Sequence, residues 1–352
     1  KTSLTIQPLK ARAIGQCSNL TIEDLVRELS AEQNYNETAH HRIIGLTLET
    51  RPDAISPKTI YHMRQQGCTR VELGLQVPDD KILQLIKRGH TVQQFRDAML
   101  LLRQAGFKVD LHFMPDLPGT TPAHDVEMYK LLFTDPGLKP DMVKIYPNVV
   151  VKTAKLYQWF RDGRYKPYGD TRALFDALLE MKLATPRYCR ISRLVRDIPA
   201  TEIEGGNVIT NLREMLSAKL TTEGKRCLCL HCRELSRQQK NLQKKTKLRL
   251  FVESYETIGG KEYFLSFEDK KRISVCGFLR LRIPNAQASA NLRHYLPEII
   301  DCAFIRELHI YGELVSIGQK NKTAAQHKGL GKKLVAVAEK IALKNDFKKT
   351  AV

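Results

Sequence analysis

Three cysteines stand close together in "RCLCLHC": Cys227, Cys229 and Cys232, spaced C-x-C-x2-C. Thiolates this near in sequence can converge on one soft cation, and zinc is the usual choice. A closed tetrahedral site needs a fourth ligand. His231 adjoins Cys232, where geometry disfavours it, so a remote His or Cys is expected. An iron–sulfur cluster is the second reading of these thiols, although it usually takes wider spacing and four cysteines. Another chemical pattern lies near the C-terminus. Gln326, Lys328, Gly329, Leu330, Gly331 and Lys332 belong to "QHKGLGK", a Q-x-x-G-x-G sequence ahead of a helical pattern. Glycines let a backbone approach an anion, and the free amides and partial positive charge of a first helical turn favour one. Lys332 and Lys333 oppose the helix dipole unless an anion sits there. A Rossmann site is not expected, because G-x-G-x-x-G is absent.

A third pattern is charge. Residues 226–249 carry eight basic side chains, Lys240, Lys244, Lys245 and Lys247 among them, against the single acid Glu234. The whole chain of 352 residues has 57 Lys plus Arg against 38 Asp plus Glu, a formal net charge of +19. Such an excess points to a polyanion, nucleic acid before anionic membrane. No run approaches the ~18 apolar residues of a membrane span, and no signal-peptide pattern opens the chain. The expected compartment is the cytosol, where cysteines stay reduced.

The elements that must position these residues can be read from periodicity. Apolar β-branched runs at 43–48, 70–75, 108–113, 142–151 and 187–195 read as strands. Helical patterns at 58–66, 80–88, 92–105, 123–133 and 171–183 lie between them. This alternation means βαβ units and parallel strands, in an open sheet or a partial (β/α) barrel. In both, ligands sit at the carboxyl ends of the strands. "ETRPD" (residues 49–53) and "MPDLPG" (residues 114–119) lie there, and either one alone reads as a turn. Beyond residue 197 the character changes. Runs at 248–255, 262–268, 274–283 and 304–315 read as antiparallel strands of a smaller α+β unit. The closing helix completes it with an apolar face of Leu330, Leu334, Val337, Ala338 and Ile341. The boundary is placed near 235–247.

Taken together, the segments resemble one family, the catalytic subunit of Elongator in its stand-alone bacterial or archaeal form. The resemblance rests on "GLTLETRPD" (45–53), "GCTRVELGLQ" (67–76), "RGHT" (88–91), "GFKVDLHFMPDLPG" (106–119) and "DMVKIYP" (141–147). It continues through "RDIPA" (196–200), "NLRE" (211–214), "IRELHIYG" (305–312) and "QHKGLGKKL" (326–334). It implies an α/β chain: a partial (β/α) barrel of radical S-adenosylmethionine (SAM) type over 1–197, a basic linker with a zinc knuckle over 198–247, and an α+β GNAT acetyltransferase domain over 248–352. The implied activity is tRNA-modifying acyl transfer, in which acetyl-CoA and a SAM-derived radical place a carboxymethyl group on C5 of the wobble uridine. Acetyl-CoA would meet Glu307, Leu308, His309 and Ile310 on a strand, and Gln326, Lys328, Gly329, Leu330, Gly331 and Lys332 at the cradle. Glu307 and His309 are the catalytic candidates by position. Lys240, Lys244, Lys245 and Lys247 would meet tRNA. Cofactors implied are acetyl-CoA, zinc, SAM and a [4Fe-4S] cluster. The partner is tRNA, with no membrane and no obligatory partner subunit, while a homo-oligomer is compatible.

Two departures stand out. The family's cysteine triad ahead of the barrel is not found, and Cys17 alone precedes the barrel strands. "LKARAIGQ" (9–16) resembles the segment before that triad and "CSNLTIEDL" a helix well after it, so a missing block is expected between residues 16 and 17. The family's acetyltransferase domain also continues past the cradle helix into a strand that should begin at "TAV". A protein lysine acetyltransferase is the second reading, disfavoured because a +19 surface repels basic tails. A non-catalytic tRNA-binding scaffold is the third.

Overall fold

The computed structural model describes residues 21–169, 172–235, 247–285, 292–311 and 329–352. The readings at Cys17, Lys240, Lys244, Lys245, Gln326 and Lys328 lie outside these residues.

The first half builds a five-stranded sheet in the order β1-β2-β3-β4-β6. Its strands are β1 (Leu46–Thr50), β2 (Cys68–Gln76), β3 (Lys108–Phe113), β4 (Met142–Ile145) and β6 (Arg190–Arg193), all paired in parallel. Parallel neighbours need crossovers, and the chain supplies helices α2 (Pro57–Gln65), α3 (Asp80–Leu85), α4 (Val92–Gln104), α5 (Pro122–Thr134) and α7 (Arg172–Ala184). Their starts are written in the sequence. Thr91 accepts from the Gln94 amide while Gln94 reaches back to the Thr91 N–H, a capping box that starts α4. Val92, Phe95, Met99 and Leu102 then face the sheet, buried. Gly106, at φ +75°, ends the turn that leads into β3.

The run 142–151 is not one strand. It splits into β4 and β5 (Val149–Val151), because Pro147 supplies no backbone donor between them. β5 leaves the barrel sheet and pairs antiparallel with β7 (Ile203–Gly206). Helix α8 (Leu212–Thr222) then buries Leu212, Leu216 and Leu220 and packs beside α7. Residues 203–222, assigned from sequence to a linker, therefore continue the barrel unit. Helix α6 (Leu156–Arg161) lies between β5 and α7, and α1 (Ile22–Thr38) precedes β1.

The second unit is a five-stranded sheet in the order β12-β11-β10-β9-β8. Strands β8 (Arg249–Thr257), β9 (Gly260–Glu268), β10 (Val275–Pro284) and β11 (Cys302–Ile310) are antiparallel. After α10 (Leu330–Lys344) comes β12 (Lys349–Ala351), which joins β11 in parallel, so a strand is present at "TAV" and begins one residue before it. One face of this sheet, with Leu265, Leu279, Leu281 and Ile305, packs on Leu334, Ala338 and Ala342 of α10. The other face carries Phe264 and Phe278 into the core of the barrel unit. Tyr255 of β8 stacks on Tyr188 with ring centres 3.9 Å apart.

Candidate active site: a charged lumen, a glycine-opened helix and a thiol cluster

Side chains alternate across a strand, so one face of β2, β3, β4 and β6 lines the inside of the curved sheet. Charged groups occupy that face where a sheet covered on both sides would carry apolar ones. Lys144 of β4 pairs with Glu72 of β2. His112 of β3 lies between two acids, with Nε2 3.4 Å from Glu72 Oε2 and Nδ1 3.6 Å from Glu49 Oε1. Ser192 of β6 donates its hydroxyl to Asp110 Oδ2 at 3.0 Å. Burial, then the Glu72 charge, pushes the Asp110 pKa up to about 7. Burial alone would raise Glu72 too, but the Lys144 ammonium outweighs it and holds that carboxyl below its ordinary range. Glu49, Glu72 and His112 are donor types that could hold a divalent metal, and their ligand atoms lie within 4.8 Å of one another. Lys144 already pairs with Glu72, which offsets the charge that a metal ion would need from it. None of Glu72, Asp110, His112, Lys144 or Ser192 stood out in the sequence. The available signal was the polar residues that interrupt apolar runs: Glu72 and Gln76 in "VELGLQ", Asp110 and His112 in "VDLHF", and Lys144 in "MVKIY".

The turns at the carboxyl ends of the strands are locked. Arg51 makes a two-pronged contact to Asp53, at 2.9 and 2.7 Å. Asp116, at φ +66°, accepts at Oδ1 from the Tyr168 amide at 3.0 Å, and its own amide donates to Asp125 Oδ2 at 2.7 Å. Burial lifts Asp116 to about 7 and Asp125 to about 6. A Cβ on Gly74 in β2 would meet the Arg88 guanidinium and the Gln76 amide, so those two side-chain ends would have to swing aside.

The second sheet brings together two stretches that lie apart in sequence. A Cβ built on Gly331 would lie 3.9 Å from both Leu308 Cδ2 and Ile310 Cγ1, so the first turn of α10 abuts the end of β11. Gly329 caps α10 at φ +65°, a conformation that suits glycine. The amides of Leu330, Gly331 and Lys332 follow it, in the turn where helix N–H groups lack helical partners. Lys332 is exposed, and Leu330 is buried against the sheet.

Glu307 and His309 point the other way, toward the barrel. Glu307 is committed to Lys108 and to Arg280, whose Nε donates at 2.7 Å. Although burial opposes it, these cations keep Glu307 ionised, with its pKa lowered. His309 sits among Phe278 and Tyr311, with ring centres 6.0 and 4.4 Å away, and burial lowers its pKa, leaving the ring neutral near pH 7.

Cys227, Cys229 and Cys232 do converge, with sulfur atoms within 4.8 Å of one another. Cys229 accepts hydrogen bonds from the other two thiols, which holds its pKa well below the ordinary thiol range. Among the described residues, no fourth His, Cys, Asp or Glu joins the set. The Nδ1 of His231 is instead 3.2 Å from Arg190 Nη2. The fully buried ammonium of Lys182 lies 3.9 Å from Cys232 Sγ. The Leu230 amide bonds to the carbonyl of Cys189, so the cluster sits at the amino end of β6, opposite the locked turns. Lys247 is exposed just ahead of β8.

The chain matches the model of the Radical SAM superfamily over residues 14–132 and that of the Radical_SAM C-terminal domain over residues 140–222. It is 41% identical over 314 residues to the tRNA uridine(34) acetyltransferase of Dehalococcoides mccartyi (strain CBDB1), covering 89% of this chain and 67% of that protein. It is 39% identical over 344 residues to the protein of that name from Methanocaldococcus infernus, covering 96% and 63%. Elongator complex protein 3 of Danio rerio is 34% identical over 310 residues, covering 88% and 55%. The chain thus spans 55–67% of the length of these curated relatives. Among solved structures, the archaeal Methanocaldococcus infernus Elp3 with an N-terminus deletion (1-46) matches with a TM-score of 0.80 at 38% identity, covering 91% of this chain and 74% of that one.

Proposed function

Because the chain belongs to the family of the tRNA uridine(34) acetyltransferases and Elongator complex protein 3, we propose that it is part of an enzyme that uses acetyl-CoA and SAM to place a carboxymethyl group on C5 of the wobble uridine of tRNA. The observation that carries this reading is the junction of Gly331 with Leu308 and Ile310, on a sheet packed against a charged parallel barrel. The first-turn amides of α10 would hold the pyrophosphate of acetyl-CoA, and β11 would flank its thioester arm. His309, neutral near pH 7, is the better candidate to accept a proton from an attacking water, since Glu307 is held by Lys108 and Arg280.

Membership of the radical SAM superfamily implies SAM and a [4Fe-4S] cluster. Among the described residues, the converging cysteines are at the amino end of the barrel. They do not suit a cluster serving ligands at its carboxyl end. That cluster of thiols suits a structural zinc, with Lys182 offsetting the thiolate charge. Cys229→Ser should release the ion and lower the melting temperature; protein purified without zinc would remove the assignment. Lys240, Lys244, Lys245 and Lys247 remain proposed tRNA contacts. Action in the cytoplasm, without an obligatory partner subunit and with a homo-oligomer allowed, is proposed with them; no helix of the described residues is long and apolar enough to cross a membrane.

Acetyl-CoA hydrolysis measured with and without tRNA tests the proposal. Stimulation by tRNA is expected, whereas stimulation by a basic peptide alone would favour a protein lysine acetyltransferase. Gly331→Glu should abolish acetyl-CoA binding in calorimetry with the thermal transition unchanged. Wild-type affinity in that variant would overturn the acetyl-CoA site.

A further inference from the structure

Helix α6 with the residues on either side of it, 152–168, forms a basic and aromatic surface. Lys152, Lys155, Arg161, Arg164 and Lys166 are all exposed. Two aromatic rings are interleaved with them, both half-buried. The Arg161 guanidinium lies 5.9 Å over Tyr157, and that of Arg164 lies 5.3 Å over Trp159. Two of the cations have acid partners: Arg164 with Asp162, and Lys152 with Glu204 at 3.2 Å. Among the described residues, Lys155, Arg161 and Lys166 form no ion pair within 4.0 Å.

The surface is held at the carboxyl end of the barrel. Phe160 packs against Gly205 of β7, where an added Cβ would come within 2.9 Å of its ring. The Tyr165 hydroxyl donates to the carbonyl of Asp116 at 2.6 Å, and the Tyr168 amide donates to Asp116 Oδ1 at 3.0 Å. Both bonds tie the loop to the turn that follows β3. The platform is therefore fixed beside the mouth through which a substrate would reach Glu72, Asp110, His112 and Lys144.

We propose that this surface binds single-stranded RNA, with unpaired bases stacking on Trp159 and Tyr157 and phosphates meeting Lys155, Arg161 and Lys166. The inference rests on the tRNA reading above and gives it a location. An enzyme that works on a base must draw it out of its stack, and the flanking nucleotides then need a replacement surface. Aromatic rings among cations supply one for any base, because every base has a π face. Duplex RNA offers phosphates but no free base faces, so it engages only the cations. An anionic membrane is the weaker fit, because the rings are half-buried and covered by guanidinium groups.

Trp159 is the single tryptophan of the chain, so indole fluorescence reports on this surface alone. The full chain is titrated with an RNA hairpin carrying an unpaired loop, and with a blunt duplex of equal charge. The hairpin should quench Trp159 and the duplex should not. Changing Lys155, Arg161 and Lys166 together to Gln should lower the slope of log K against log salt by roughly 2, at about 0.7 per phosphate contact. Trp159→Leu should weaken hairpin binding roughly five- to a hundredfold. The lysine and arginine variant keeps the test valid if Trp159→Leu does not fold. Hairpin binding with unchanged fluorescence and an unchanged salt slope would overturn this site while leaving the tRNA reading intact. Failure of both RNAs to bind would overturn both. A fluorescence response to phosphatidylserine vesicles, with none to the hairpin, would make the surface a membrane contact.

Discussion

Asp110 and Asp141 are both barrel carboxylates, 1% and 0% exposed, yet they differ in what surrounds them. Asp141 receives both prongs of Arg306 at 2.7 Å and the Val109 amide at 3.0 Å, with Arg103 and Arg280 each 3.8 Å away. Beside it Glu262 of β9 meets Arg103, Arg282 and Arg306 at 3.0, 3.1 and 2.8 Å. Arg103, Val109 and Asp141 come from the barrel, and Glu262, Arg280, Arg282 and Arg306 come from the second sheet. This knot of charge joins the two units. Burial alone would raise both carboxyls, but the guanidinium groups outweigh it and hold them below their ordinary range. Burial and then the Glu72 charge raise the Asp110 pKa, and a serine hydroxyl and a more distant ammonium only partly offset them. The difference teaches where each region's energy is committed. The joint supplies its acids with every donor they need and becomes a fixed contact. The lumen leaves an acid short of partners, as a site that receives a polar ligand does.

The contrast predicts opposite responses to pH. The joint's acids have depressed pKa values. Their stabilisation is present above about pH 4 and is lost as pH falls below it. Asp110 has a raised pKa. It favours folding fully below about pH 4, and that contribution is lost as pH rises through about 7.

The largest expected effect is at the joint. Asp141→Asn leaves three guanidinium groups facing a neutral amide, and should cost about 3–5 kcal/mol in urea unfolding at pH 7. A loss under ~1 kcal/mol would show that the joint is held by its apolar contacts instead. Next comes Asp110→Asn, which removes a group that resists ionising. It should raise the unfolding free energy by on the order of 2–4 kcal/mol at pH 8 and by little at pH 4. Equal effects at the two pH values would dissolve the contrast. Glu307→Gln should cost about 1–2 kcal/mol through its lost charged hydrogen bonds, with acetyl-CoA hydrolysis retained. Lost hydrolysis at unchanged stability would make Glu307 catalytic. The smallest effect is at Gly331→Ala, where the added methyl has ordinary contacts. Unfolding should shift by no more than about 1 kcal/mol, and toward greater stability.

The barrel was readable because its strands and helices alternate, with glycines such as Gly106 at the turns. The thiol cluster was readable because its spacing leaves few other geometries. Proximity of Leu308 and Ile310 to Gly331 came from family resemblance rather than periodicity, and the structure brings those residues together. The joint was not readable. Arg280 and Arg282 alternate with Leu279 and Leu281, which is how a half-exposed strand is written, yet the two arginines are 1% and 0% exposed. Their acids lie on other elements, far along the chain, so no local pattern announces the pairing. The lumen hid for a related reason. Glu72, Asp110 and Lys144 each look like one stray polar residue until the strands curve around them. The 198–247 linker was overdrawn because β7 is short and ends in glycines.

One irregularity in β11 serves both units. Arg280 lies opposite Glu307 while Leu281 lies opposite Ile305, so Arg306 is the extra residue of a β-bulge. Two consecutive side chains, Arg306 and Glu307, therefore face the barrel, and the alternation resumes out of phase. Leu308 and Ile310 turn toward α10 only because of that offset. Deleting Arg306 alone would remove the bulge and leave Leu308, His309 and Ile310 on their present faces, at the loss of its ion pairs to Asp141 and Glu262. A one-residue deletion at this point should thus disturb the joint between the units, and leave the contact of β11 with α10 in place.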